Sequence, residues 1–152
     1  MPNMTISAPV SEALERGRPV VALESTIFSN LGLPSPANEE ALTRTLAAVR
    51  DSGAEPAVTA IMDGKVHVGL DGDGYGRILG EATKTAERDI AAAVTQRWPV
   101  GATTVSASLA IAAKAGITVF ATGGIGGVHH GVTDSGDVSA DLAAIARHPV
   151  LT

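Results

Sequence analysis

Two short apolar runs, Pro19-Val-Val-Ala-Leu23 and Ile117-Thr-Val-Phe-Ala121, each stop abruptly at a polar or glycine-rich cluster. Runs of this length, rich in Val and Ile and lacking strict alternation, predict strands covered on both faces. Covering both faces requires helices above and below, which restricts the chain to a layered α/β arrangement. In such sheets the residues just past the C-terminal strand ends line the ligand crevice. Glu24-Ser25-Thr26 and the stretch from Thr122 to Gly131 are therefore the first places to look for chemistry.

The remaining pattern agrees with this layering. Val10–Arg16 reads as a short helix stopped at Gly17. Asn38 is a good N-cap for a helix whose Leu42, Leu46 and Val49 share one face, with Gly53 just beyond its end. Ala57–Met62, the Asp63-Gly64 pair and Lys65–Leu70 form a hairpin signature. Gly72, Gly74 and Gly76 mark a loop or a weak helix start, and Asp89–Arg97 reads as helical. Thr103–Ala115 is an alanine-rich helix ended by Gly116, and Ser139 caps a last helix through Arg147. Pro149–Thr152 reads as the opening of another strand. The expectation is a single α/β domain over residues 1–152, with a mixed, mostly buried sheet that is incomplete in this chain.

Composition narrows the function. The chain has 152 residues, a net charge of −5 and no Lys/Arg run, so a nucleic-acid phosphate track is not expected. Aromatic residues make up only 3%, which argues against recognition by stacking. Without cysteine there is no disulfide, thiolate zinc site or cysteine nucleophile, and a reducing cytoplasm is the expected compartment. Met1–Thr5 has neither the charge nor the apolar core of a signal peptide, and no apolar run reaches spanning length.

Four groups of residues carry chemical potential. Glu24, directly after a buried strand, is placed where partial burial would raise its pKa and suit it to proton transfer; a helix-capping or arginine-pairing carboxylate fits the same position. Thr122–Gly131 holds five glycines in ten residues, which permits positive φ or close backbone approach to an anion. It leads into His129, His130, Asp134, Asp137, Ser139 and Asp141. Asp137 and Asp141 could ligate Mg²⁺ or Mn²⁺, or simply cap and complement the last helix. Gly101-Ala-Thr-Thr-Val105-Ser106 reads as a turn into a helix N-terminus, suited to an anion or to plain capping. Lys84 and Arg88 could hold a phosphate or form a solvated surface.

Taken together, Val20-Val-Ala-Leu-Glu24-Ser-Thr-Ile27, Gly101-Ala-Thr-Thr-Val105, Val119-Phe-Ala-Thr-Gly-Gly-Ile-Gly-Gly-Val-His129 and Asp137-Val-Ser-Ala-Asp-Leu142 resemble the pseudouridine-5′-phosphate glycosidase family, over its N-terminal half. The resemblance implies an α/β/α domain, commonly a homotrimer, that reversibly cleaves the C–C glycosidic bond of pseudouridine 5′-phosphate to uracil and ribose 5-phosphate. It implies Glu24 as proton donor, Asp137 as the ligand of Mn²⁺ (or Mg²⁺), and substrate contacts from Lys84, Val105, Ser139, Ala140 and Asp141. The family's imine-forming lysine is expected just beyond the position of Thr152, a place that none of Lys65, Lys84 and Lys114 occupies.

Two departures stand out: His130 lies where the family commonly has arginine, and Phe28–Leu31 replaces a Ser-His-Gly pattern with one extra residue. Two other readings accompany the glycosidase: a non-catalytic sugar-phosphate-binding remnant or half of a split enzyme, and a sugar-phosphate kinase-like module. The last rests on the glycine-rich loop alone, since no Walker A pattern is present.

Overall fold

The computed structural model describes residues 4–152, so Met1–Asn3 of the N-terminal stretch read for targeting lie outside it. The elements run β1 (Met4–Ile6), α1 (Ala8–Glu15), β2 (Val20–Leu23), α2 (Ala37–Asp51), β3 (Glu55–Met62), β4 (Lys65–Val68), α3 (Gly72–Ile78), β5 (Thr83–Thr85), α4 (Ile90–Thr95), β6 (Val100–Thr103), α5 (Val105–Ala115), β7 (Val119–Ala121), α6 (Val132–Ser135) and α7 (Ala140–Arg147). Single 3₁₀ turns at Thr26–Phe28 and Glu87–Asp89 complete the path.

The strands form one mixed sheet, with the order β1-β4-β3-β2-β7 and β6 paired to β3 and β5. Parallel pairs (β1/β4, β2/β3, β2/β7, β5/β6) outnumber the antiparallel ones (β3/β4, β3/β6). The strand β3 shows why helices cover both faces. Its Ala57 and Ile61 enter one buried cluster, and its Val58, Ala60 and Met62 enter the other. That period of two is the pleat of a doubly covered strand. The first cluster takes residues from α1, α4, α5 and α7, and the second from α2 and α3. All residues of α5 from Val105 to Ala112 are buried, which its small side chains allow.

Asp63 and Gly64, at φ +52° and +80°, make the tight β3–β4 turn expected of an Asp-Gly pair. Gly53, at φ +84°, follows α2 as expected.

Several expectations are corrected. Asn38 does not cap α2; it lies inside the first turn, buried, with its amide donating to Phe28 O (3.0 Å) and Leu79 O (3.1 Å). The amide thus ties the helix to two loops. Gly101-Ala-Thr103 is not a turn but part of strand β6. A Cβ on Gly101 would lie 2.7 Å from Thr85 Oγ1, so this glycine serves close strand packing. Its parallel neighbour β5 carries Lys84 on a strand. Of the two readings of the Gly72–Gly76 stretch, the helix start holds: Gly72–Ile78 is a helix, capped by Asp71, whose carboxylate accepts from Gly74 N (3.0 Å).

The strand β7 is less covered than its apolar sequence suggests, with Val119 37% exposed. On its side away from β2, Leu151 N donates to Thr118 O and Phe120 N donates to Leu151 O, both at 2.8 Å. Pro149–Thr152 thus begins to pair as a strand would. Among the described residues no helix is long and apolar enough to cross a membrane.

Candidate active site

The strands β2 and β7 run parallel with Leu23 opposite Ala121, so the residues that follow them, Glu24 and Thr122, emerge side by side. The Thr122 hydroxyl donates to Glu24 Oε1. Glu24 is 9% exposed. Burial pushes its carboxyl above the usual range, the Thr122 hydrogen bond acts against that, nearby Asp141 adds to it and Lys84 opposes it. A carboxyl whose pKa is raised is better matched to proton transfer than an ordinary one.

Behind Glu24 the backbone is fixed by hydroxyls. Ser25 N donates to Thr103 O (3.2 Å), and Thr103 N donates to Ser25 Oγ (2.8 Å). Thr103 Oγ1 lies 2.8 Å from Thr59 Oγ1, which in turn donates to Ser108 Oγ (2.9 Å). This chain links β2, β6, β3 and α5 at the point where Glu24 leaves the sheet. The hydroxyls are buried, and every buried side-chain polar atom among the described residues has a partner.

The opposite wall is the glycine-rich loop, held by Asp141. Its Oδ1 accepts from Ser106 N and its Oδ2 from Gly126 N, both at 3.0 Å. The α5 N-terminus therefore has a carboxylate on Ser106 N, at a helix start the sequence read as an anion site or as plainly capped. Asp141 bridges two elements instead of merely complementing its own helix. Of the loop glycines, only Gly131 takes positive φ. Gly126 is needed for another reason, because a Cβ there would overlap the Ser139 side chain. The loop then folds back on itself: Ser139 N donates to Gly127 O (2.9 Å), His129 N donates to Asp137 O (3.2 Å), and Val128 bridges Val138. Ser139 caps α7 as expected, accepting from Asp141 N (3.2 Å).

These walls enclose a polar cavity of about 350 Å³. Glu24, Lys84, Val105 and Asp137 line it, together with Ser139, Ala140 and Asp141, so the residues to which the resemblance gives a role are brought to one place, while Asp134 of the same sequence cluster is not among the lining residues. Arg88 lines it too. His130 and Phe28–Leu31, where the sequence departs from the resembled pattern, do not. Thr26, Thr104 and Ser106, from two segments the sequence marked without assigning these residues a contact of their own, also line the cavity, and Thr122 touches Glu24 from the side. The sequence signal for Thr122 is its position immediately after the second apolar run, matching that of Glu24 after the first. An adjoining apolar cavity of about 260 Å³ lies between Leu23, Phe28, Ala41 and Ala121, and Glu24 borders both cavities.

Among the described residues no three His, Asp or Glu side chains gather as a metal cage. Asp137 Oδ2 lies 3.3 Å from His129 Nδ1, and the Asp137 side chain is 64% exposed. With Asp141 committed to two backbone N–H groups, Asp137 is the one of the two carboxylates that could still offer an oxygen to a hard cation, with water as the rest of the shell.

A protein-family model described as indigoidine synthase A-like protein matches residues 9–152. The chain belongs to the indigoidine synthase A-like family. It is 50% identical over 147 residues to a pseudouridine-5′-phosphate glycosidase of Rhodospirillum centenum, covering 97% of this chain and 46% of that protein. A pseudouridine-5′-phosphate glycosidase of Sorangium cellulosum is 48% identical, with 97% and 47% covered. The chain thus spans about half the length of the curated relatives it matches, on their N-terminal side. Among solved structures, a prealnumycin C-glycosynthase in complex with ribulose 5-phosphate superposes with a TM-score of 0.82 at 39% identity, over 93% of this chain and 46% of that one. An indigoidine synthase A-like protein from Thermotoga maritima gives 0.81 at 33%, over 95% and 46%.

Proposed function

We propose that this chain carries the proton-donor half of a pseudouridine-5′-phosphate glycosidase site, acting on the C–C bond between uracil and ribose 5-phosphate. The observation that carries the reading is the convergence of Glu24, Lys84, Val105, Asp137 and Ser139–Asp141 on one polar cavity with a buried carboxyl in its wall. The relatives named for this reaction, and the structural neighbour that holds a pentose phosphate, point the same way.

In this reading Lys84 and Arg88 supply positive charge to the phosphate, and the Thr104–Ser106 segment and Ser139–Asp141 orient the sugar. Glu24 gives and takes the proton as the ribose ring opens and the C–C bond breaks. A glycosidic carbon has no oxygen leaving group to protonate, so a paired-carboxylate scheme of the O-glycosidase kind does not apply. A lysine imine would provide the electron sink, from a residue outside these 152. Asp137 would hold Mn²⁺ or Mg²⁺ at the cavity rim, where the ion would add positive charge beside the bound substrate. A cytoplasmic homotrimer is part of the same proposal.

Titrating ribose 5-phosphate into the isotopically labelled chain tests the binding half of this reading. Amide shifts are expected at Thr104–Ser106, Gly124–Gly126 and Ser139–Asp141, and they should shrink in Lys84→Met. No shifts in those segments at millimolar ligand would refute the assignment.

A further inference from the structure

We propose that Thr122 is the positioning residue for Glu24, a one-proton relay that couples protonation of the Glu24 carboxyl to the set of the glycine-rich loop at Gly124. The proposal rests on the reading of Glu24 as proton donor, but its physical content is independent of turnover.

The argument comes from counting protons. A threonine hydroxyl has one hydrogen to donate and two lone pairs to accept with. Thr122 Oγ1 has two acceptors within reach, Glu24 Oε1 and Gly124 O at 2.9 Å, and one donor, Gly124 N at 3.2 Å. It cannot donate to both acceptors at once. With Glu24 ionised, a carboxylate only accepts, so the Thr122 proton must point to Glu24 and Gly124 O is left without it. With Glu24 neutral, the carboxyl can donate its own proton to Thr122 Oγ1. The Thr122 hydroxyl is then released to Gly124 O, which closes the turn. One proton is taken up from solvent by the carboxyl, and no other bond is made or broken.

The setting suits this exchange. Thr122 and Glu24 sit at the ends of two paired strands, so their separation is fixed by the β2/β7 register. Gly124 lies two residues before Gly126, whose amide is fastened to Asp141. A change at Gly124 is therefore confined between two anchored points, and Gly124 and Gly126 both line the cavity. The charged groups facing Glu24 are Asp141 from α7 and Lys84 from β5, with Arg88, His129 and Asp137 further around the cavity. Among the described residues, Thr122 is the one whose side chain donates a hydrogen bond to the carboxyl.

The test uses the chain itself. The pH titration of the Glu24 side-chain carboxyl is followed by carbon NMR, and that of the Gly124 amide by nitrogen NMR, in wild type, Thr122→Val, Thr122→Ser and Glu24→Gln. In wild type the two nuclei should share a midpoint. Thr122→Ser, which keeps the hydroxyl, should preserve the shared midpoint. Thr122→Val should move the Glu24 midpoint up by on the order of one pH unit and uncouple Gly124 from it. Glu24→Gln should flatten the Gly124 response in that range, separating it from titration of His129 and His130. A Gly124 amide indifferent to the Glu24 midpoint in wild type, or a Thr122→Val protein titrating as wild type does, would overturn the relay. Full turnover by a Glu24→Gln enzyme would instead sink the catalytic reading and leave these titrations untouched.

Discussion

The Asp141 carboxylate accepts the backbone N–H of Ser106 at 3.0 Å, 35 residues away in sequence, while its second oxygen accepts Gly126 N at the same distance. One side chain thus holds the start of α5 and the middle of the glycine-rich loop in fixed relation. Both are walls of the cavity.

Asp141→Asn should therefore be costly despite its similar shape. The asparagine amide offers one acceptor oxygen, and its NH₂ would face one of the two backbone N–H groups. Losing a hydrogen bond to a charged group costs about 1.5–3 kcal/mol. Urea denaturation should show a loss of that order, with the m-value unchanged. Equal midpoints for the two proteins would mean that the loop is held by something else.

The buried hydroxyls behind Glu24 give a second prediction. Thr103→Val keeps the shape of β6 but removes the hydroxyl that meets Ser25 and Thr59. Leaving a buried polar partner unsatisfied costs about 1–3 kcal/mol. Ser25→Ala is costly in its own right, because Ser25 Oγ also accepts from Thr103 N at 2.8 Å. Ser25→Ala/Thr103→Val should nevertheless cost less than the two singles added together, because the Ser25–Thr103 hydroxyl contact is then lost only once. A double variant as unstable as the sum of the singles would show that the two hydroxyls act independently.

Much of this arrangement is legible in the sequence, and what is hidden has physical causes. Glu24 and the glycine block stand at the ends of apolar runs, and helix and strand periods expose the layers. The strands β5 and β6 escape notice because Thr-Lys-Thr and Val-Gly-Ala-Thr carry no apolar alternation; they are strands because β3 and each other's backbone complete their ladders. The bridging role of Asp141 is equally invisible, since its partners are backbone amides that only the fold brings near. Asn38 looks like a cap because its type is right, and tertiary contacts to Phe28 and Leu79 take its amide instead.

The raised pKa of Glu24 predicts how stability depends on pH. Its ordinary value is 4.5, and burial moves the folded-state value upward. The folded protein therefore holds this proton more tightly than the unfolded chain. The contribution is fully present below about pH 4.5 and is lost as pH rises through the folded-state value. Glu24→Gln, a neutral isostere that can still accept from Thr122, escapes that loss. Its melting temperature relative to wild type should rise as pH goes from 4 towards 8. In a complete enzyme bearing this segment, the same substitution should lower uracil release by about 10²–10⁴-fold. A pH-independent difference in melting temperature would show that Glu24 titrates normally.

Asp137 should account for any divalent cation that this part of the site holds. Calorimetry with MnCl₂ is expected to show weak binding in wild type and none in Asp137→Ala, because no cage of further carboxylates is present among the described residues. His129 Nδ1, 3.3 Å from Asp137 Oδ2, competes for the same oxygen, so His129→Ala should bind the ion at least as tightly. Equal affinity in wild type and Asp137→Ala would remove Asp137 as a ligand.

The three lysines give the last prediction. Lys65 follows the β3–β4 turn and Lys114 sits in the last turn of α5; of the three, only Lys84 lines the cavity. An imine with an opened pentose needs an amine inside the site. The glycosidase resemblance assigns that step to a lysine outside these residues and leaves Lys84 to hold substrate as a cation. Incubating the 152-residue chain with pseudouridine 5′-phosphate and Mn²⁺, reducing with borohydride and reading the intact mass should therefore give no adduct and no uracil. Adding a polypeptide that carries the second half of the Rhodospirillum centenum relative is expected to give both, with the label on the added chain. A sugar-phosphate adduct on Lys84 accompanied by uracil release would overturn this assignment and make Lys84 the nucleophile.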